Sequence, residues 1–127
     1  MNSLDANIVL RFILRDIPEQ SIKAEILVTT SLCYVSDVIV TEAAFVLERR
    51  VGISRRDTAF VLKKFLDLPT VKCNQLLLDD TINLFAATRN LSFPDCYAAV
   101  EARRSGNKLA TFDKDLVKHG GIHVIEP

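Results

Sequence analysis

Short apolar runs alternate with longer segments of helical period along the whole chain. Ser3-Leu4-Asp5 leaves room for a first strand of only a few residues before Asn7 offers a helix cap. Ile8, Val9, Phe12 and Ile13 then recur at helical spacing, with Arg11 and Arg15 on the other face. After a break at Asp16-Ile17-Pro18, Pro18 opens a second helix with Ile22, Ile26 and Leu27 as its expected buried stripe. Cys33-Tyr34-Val35-Ser36 predicts a second strand, and from about Asp37 the pattern is helical, with Ile39, Ala43, Val46 and Leu47 on the core face. Val51-Gly52-Ile53-Ser54 ends that helix. Ser54-x-x-Asp57 caps the next, which is expected to bury Phe60, Val61, Phe65 and Leu66, so the two form an αα-hairpin. A third strand over Pro69–Cys73 leads to a helix with Leu78, Ile82, Phe85 and Ala86 as its stripe, ending near Asn90. Ser92-Phe93-Pro94-Asp95 begins a helix to about Ser105, Lys108–Phe112 reads as a short buried strand, and Gly120-Gly121 turns into a last strand, Ile122–Ile125.

Strands alternating with helices imply an α/β fold, with a parallel sheet, right-handed crossovers and helices on both faces. In such a sheet the first strand lies centrally, and a later strand joins its other side where the strand order reverses. The expectation is that the strand ending at Asp113 is that neighbour. At 127 residues, with 49% hydrophobic and 25% charged, the chain is expected to be one globular domain spanning 1–127.

Charge excludes a global polyanion binder, because 16 basic residues balance 16 acidic ones, so any such site must be local. Cys33, Cys73 and Cys96 are odd in number and far apart, which suggests reduced thiols and a cytoplasmic protein. The start of the chain shows no signal peptide, and no apolar run is long enough to span a membrane, so no membrane association is expected. His119 and His123 stand apart from the cysteines, which argues against zinc.

Four acids remain. Asp5 and Asp113 follow strands, where parallel sheets bind ligands. Asp95 lies in a first helical turn, and Glu42 about one turn inside a helix, among Val40, Ala43 and Ala44. Each acid alone has a structural reading: Asp95 in a capping box, Asp113 in a solvated turn that caps one turn of helix, Glu42 as a solvent-facing helical residue. Asp79 and Asp80 fit the dipole of a first turn, and Glu48 reads as solvated. If the four acids converge in one cleft, their mutual repulsion calls for a counter-charge, and oxygen ligands without His or Cys favour Mg²⁺ or Mn²⁺. Such ions support in-line hydrolysis of a phosphodiester. Arg49, Arg50, Arg55 and Arg56, clustered at the hairpin turn, are solvated charges or guides for a phosphate backbone. Lys114, Lys118 and His119 are placed in the loop beside Asp113.

Leu4-Asp5-Ala6-Asn7, Thr41-Glu42-Ala43, Phe93-Pro94-Asp95 and Thr111-Phe112-Asp113-Lys114-Asp115 together resemble the ordered motifs of the PIN-domain nucleases. The chain is most similar to their short toxin branch, the VapC-like ribonucleases of toxin–antitoxin pairs. The resemblance implies a three-layer α/β/α sandwich around a mainly parallel sheet of four to five short strands. It also implies Mg²⁺- or Mn²⁺-dependent endoribonuclease activity on RNA, restrained by a small antitoxin protein. Asp5, Glu42, Asp95 and Asp113 match the acidic quartet, Asn7 and Thr111 the supporting polar residues, and Asp115 a more variable fifth acid. Pro94-Asp95-Cys96 departs from the small residues that are commoner around that acid. The expected roles are metal ligation by Asp5, Asp95 and Asp113, with Glu42 completing the shell and orienting water.

Two rival readings stand beside this one. A PIN-like module that grips RNA or a protein without catalysis keeps the same acids. A phosphotransfer domain with Asp5 as nucleophile predicts an acid at position 7, where Asn7 stands. The apolar hairpin of residues 38–66 offers a surface for an antitoxin helix or for a second copy of the chain as a homodimer.

Overall fold

The computed structural model describes all residues, 1–127, and the chain forms two compact units, Met1–Gln75 and Leu76–Pro127. In the first unit, β1 (Asn2–Ser3), β2 (Cys33–Tyr34) and β3 (Val71–Lys72) pair in parallel, in the order β1-β2-β3. The strands are shorter than their apolar runs, yet the ladder continues past them: Leu4 donates its N–H to the Tyr34 carbonyl (2.8 Å) and Val35 to that of Lys72 (3.0 Å). Within this ladder β1 is an end strand, not a central one.

Helix α1 (Ala6–Leu14) follows β1 directly, with Asp5 rather than Asn7 at the N-cap, and ends in a left-handed turn at Arg15. It packs on α2 (Pro18–Thr30), which Pro18 opens as expected. The buried face of α2 is Ser21, Ala24 and Val28, whereas Ile22 and Ile26 are 56% and 57% exposed. Apolar residues occupy most of the circumference of this helix, so spacing alone does not select a face. Small side chains let α1 and α2 approach closely, and that contact turns the isoleucines outward.

Helix α3 (Asp37–Phe45) is capped by the Ser36 hydroxyl, which accepts from the Ile39 N–H, and buries Val40, Ala43 and Ala44. It runs on as a π-helical turn, Val46–Val51, that Gly52 stops at φ 83°. Here a residue without a Cβ adopts the left-handed backbone at little cost. Helix α4 (Arg55–Leu66), capped by Ser54, completes the predicted hairpin and buries Thr58, Ala59, Leu62, Phe65 and Leu66. Phe60, placed in the core by sequence spacing, is 60% exposed, with the Lys64 ammonium 5.4 Å from its ring centre. Phe65 meets Phe12 of α1 edge-to-face at 5.4 Å.

Helix α5 (Gln75–Ala87) leads through the second unit to α6 (Phe93–Arg104), β4 (Leu109–Ala110), α7 (Lys114–His119) and β5 (Val124–Ile125). Strands β4 and β5 pair in parallel, and the Thr111 N–H extends the ladder to the Ile125 carbonyl (2.9 Å). Leu77, Leu78, Ile82, Phe85, Phe93, Ala99 and Val100 form the core, with Phe85 and Phe93 edge-to-face at 5.2 Å. Ala86, expected in the stripe, is exposed. Strand β4 is only partly covered, so the expectation of a buried strand over Lys108–Phe112 is corrected. Lys114, Lys118 and His119 lie on α7 rather than in a loop. His123 Nε2 donates to the Ala99 carbonyl at 2.6 Å, which ties α6 to the segment entering β5.

Within each unit every strand pair is parallel, and helices separate the strands along the chain, as the α/β reading expects. No helix is long and apolar enough to cross a membrane.

Candidate metal centre and nuclease site

Asp5 and Glu42 belong to the first unit, Asp95 and Asp113 to the second. Asp5 stands two residues beyond Ser3, and Ser36 two beyond Tyr34, and Ser3 and Tyr34 are in register. The N-terminus of α1 and that of α3 therefore leave the same carboxyl edge of the parallel ladder. Asp5 is exposed at the N-cap of α1 but makes no side-chain cap bond, so its carboxylate is not committed to the helix. Glu42 is exposed in the second turn of α3, which packs on α1. At about 1.5 Å per residue it lies roughly 8 Å along the axis from Asp37. The neighbours Ala43 and Ala44 face the core, which leaves Glu42 on the open side.

In the second unit, Ser92 caps α6 by accepting from the Asp95 N–H (3.2 Å), which leaves the half-buried Asp95 carboxylate outside that bond. This is the Ser92 side of the expected capping box, in which Asp95 takes part through its N–H. The short connection between α6 and β4 makes the two run antiparallel and in contact, so the first turn of α6 and the carboxyl end of β4 lie at one end of this unit. Asp113 emerges at that end. Its Oδ1 accepts from the Leu116 N–H (3.1 Å) as the N-cap of α7, and its own N–H donates to Thr111 Oγ1 (3.0 Å). Asp115 is exposed in the first turn of α7, and Asn7 is exposed in the first turn of α1.

Several other acids are committed to ion pairs. Asp16 pairs with Arg11 (2.7 Å), Glu25 with Arg15 (2.9 Å) and Lys114 with Glu126 (3.2 Å). Asp80 holds Arg104 (2.8 Å) and Arg103 (3.5 Å), so its place in α5 rests on ion pairing rather than on the helix dipole. Glu48, read from sequence as solvated, is mostly buried and grips Arg55 at 2.8 Å. That removes Arg55 from the group able to meet a phosphate backbone. Arg49 lies 3.5 Å from Glu48 but remains open to solvent, and Arg50 and Arg56 are exposed. Within their own units, the carboxylates of Asp5, Glu42 and Asp95 have neither an ion pair nor a hydrogen bond.

Neither unit by itself gathers three acidic, imidazole or thiol groups into a metal cage. The donor chemistry nevertheless fits a hard cation: the uncommitted groups are carboxylates with no His or Cys among them, and such oxygen donors suit Mg²⁺ or Mn²⁺. Comparison with known families decides the wider question, because the PIN domain profile matches residues 3–122. The chain belongs to the PIN-domain family. PIN domains are three-layer α/β/α folds, generally nucleases that use divalent ions and commonly bind nucleic acid, and the parallel strands and connecting helices here agree with that fold. Searches of curated proteins and of solved structures give no match. Sequence reasoning missed one residue of this PIN domain beside the candidate acids. Phe112, assigned to a buried strand, is 78% exposed.

Proposed function

We propose that this PIN domain, residues 1–127, is a Mg²⁺- or Mn²⁺-dependent endoribonuclease and the toxin of a toxin–antitoxin pair, similar to the VapC-like enzymes. The observation that carries the reading is the set of uncommitted carboxylates. Asp5 and Asp95 stand at helix N-termini without partners in their units, and Glu42 faces outward from α3. Unpaired like charges are tolerated in a small domain when a cation neutralises them.

Asp5, Asp95 and Asp113 would hold the ion, and Glu42 would complete the shell and orient the attacking water. A divalent cation bound there supplies charge neutralisation and water activation for in-line displacement at phosphorus. Thr111 fixes the backbone of Asp113 through the bond to its N–H, and Asn7 and Asp115 support the site from the first turns of α1 and α7. The exposed Arg49, Arg50 and Arg56, with Lys114, suit the RNA backbone. Val38, Phe45, Val51 and Phe60 leave an apolar strip on the hairpin, which suits an antitoxin helix or the second copy of a homodimer. A cytoplasmic location goes with this reading.

The test is incubation of purified protein with total RNA and matched DNA, in Mg²⁺, in Mn²⁺ and in chelator. RNA cut at a few sites, only with metal, is the expected outcome. No cleavage by folded, inhibitor-free protein would move the assignment to a PIN-like binding module.

A further inference from the structure

Phe112 is the most exposed aromatic side chain in the chain, at 78%, and it directly precedes Asp113. Phe12 and Phe65 pair with each other, as do Phe85 and Phe93, whereas Phe60, Phe45 and Tyr34 are exposed to a smaller degree, at 60%, 48% and 38%, and Phe60 carries the Lys64 ammonium over its ring. Within its unit, Phe112 has neither a ring nor a cation against it. A single exposed apolar side chain is ordinary on a protein surface, and what sets Phe112 apart is its extent of exposure together with its place directly before Asp113.

The backbone on both sides of Phe112 is fixed. Thr111 donates its N–H to the Ile125 carbonyl (2.9 Å), Asp113 donates its N–H to Thr111 Oγ1 (3.0 Å), and the Asp113 carboxylate is anchored on the Leu116 N–H (3.1 Å). The ring is thus presented on a rigid turn rather than on a loose loop, so little conformational freedom remains to be lost when a ligand meets it. Two residues on, the open Lys114 supplies a positive charge, held only by a surface pair with Glu126.

We propose that Phe112 is a stacking platform for an unpaired RNA base beside the scissile phosphate. The inference builds on the ribonuclease reading above. Every nucleobase presents a π-face to an aromatic ring, so stacking recognises a free base with little sequence preference. In an A-form duplex that face is already stacked, and an aromatic side chain cannot reach it without unpairing the helix. Phe112 therefore selects for accessibility of the base, and base identity is left to other contacts.

The experiment measures binding and cleavage separately on the full chain. Fluorescence anisotropy follows binding of a labelled unstructured RNA, and of the same sequence in a duplex, with Ca²⁺ in place of Mg²⁺. Phe112→Ala should weaken binding of the single strand by roughly 10-fold, the order expected for loss of one base–aromatic stack, with duplex binding unchanged. Phe112→Tyr should restore it. In Mn²⁺, Phe112→Ala should raise KM with little change in kcat, and its melting temperature should not fall because the ring is open to solvent. Equal binding by the unaltered protein and Phe112→Ala overturns the proposal, as does an unaltered protein that binds no unpaired RNA. A Phe112-dependent affinity without any metal-dependent cleavage upholds stacking and defeats the ribonuclease reading, whereas cleavage indifferent to Phe112 does the reverse.

Discussion

Asp5 and Asp113 both precede a helix, but their carboxylates are used differently, and single substitutions should separate the two uses. Asp5 makes no side-chain bond to α1, and asparagine is an equally good N-cap residue. Asp5→Asn should therefore leave the stability within about 0.5 kcal/mol of the unaltered protein. Cleavage should fall at least roughly 100-fold, the order associated with losing one charge-stabilising group from a preorganised site. Asp113 caps α7 through Leu116, so Asp113→Ala should cost about 1 kcal/mol of stability as well as activity, while Asp113→Asn keeps the cap and loses activity alone. Thermal melts run beside RNA cleavage check both. Position and type of these acids were legible in the sequence because strand-end acids and cap residues are local signals. Whether a carboxylate is committed was not, since Asp113 accepts from the Leu116 N–H whereas Asp5 makes no cap bond, and only coordinates show the difference.

Among the elements, the hairpin shows where periodicity succeeds and where it runs out. Its two helices, the Gly52 stop and the Ser54 cap follow the sequence pattern closely. Its buried faces follow less well. Phe60 points outward and Ala59 inward, because apolar residues flank both sides of the stripe and tertiary packing chooses between them. The same ambiguity turned Ile22 and Ile26 of α2 to solvent. The arginine cluster likewise divides only in three dimensions. Arg55 is largely buried against Glu48 at the junction of the π-helical turn and α4, so Arg55→Ala should destabilise the protein by about 1.5–3 kcal/mol. Arg50→Ala and Arg56→Ala should leave stability unchanged. Each should lower the slope of log affinity for single-stranded RNA against log salt by about 0.7, as expected for one lost phosphate contact. Equilibrium unfolding and salt titration of RNA binding distinguish the two classes.

At the scale of the whole molecule, α/β class, parallel pairing and element order could be read before the structure, because alternating short apolar runs and helical periods leave few alternatives. Strand length could not: the two-residue ladders are shorter than the runs that mark them, and Phe112 falls outside β4 for that reason. If the uncommitted acids hold a divalent ion, the folded chain binds it and the unfolded chain does not. Mg²⁺ or Mn²⁺ at ten times its dissociation constant should then add about 1.4 kcal/mol, raising the melting temperature by roughly 5 °C. Asp5→Asn should erase that rise; a melting temperature indifferent to metal would contradict the site. The brevity of the ladders also bears on the order of folding. Only α7 separates β4 from β5, whereas two helices separate β1 from β2 and the entire hairpin separates β2 from β3. Closing the shorter loop loses less chain entropy, and a two-residue pairing returns little to offset a long one. The turn that carries Phe112 and Asp113 is thus set to form before the edge that carries Asp5, so the candidate acids come into place one unit at a time and the full quartet exists only once the longest loops have closed.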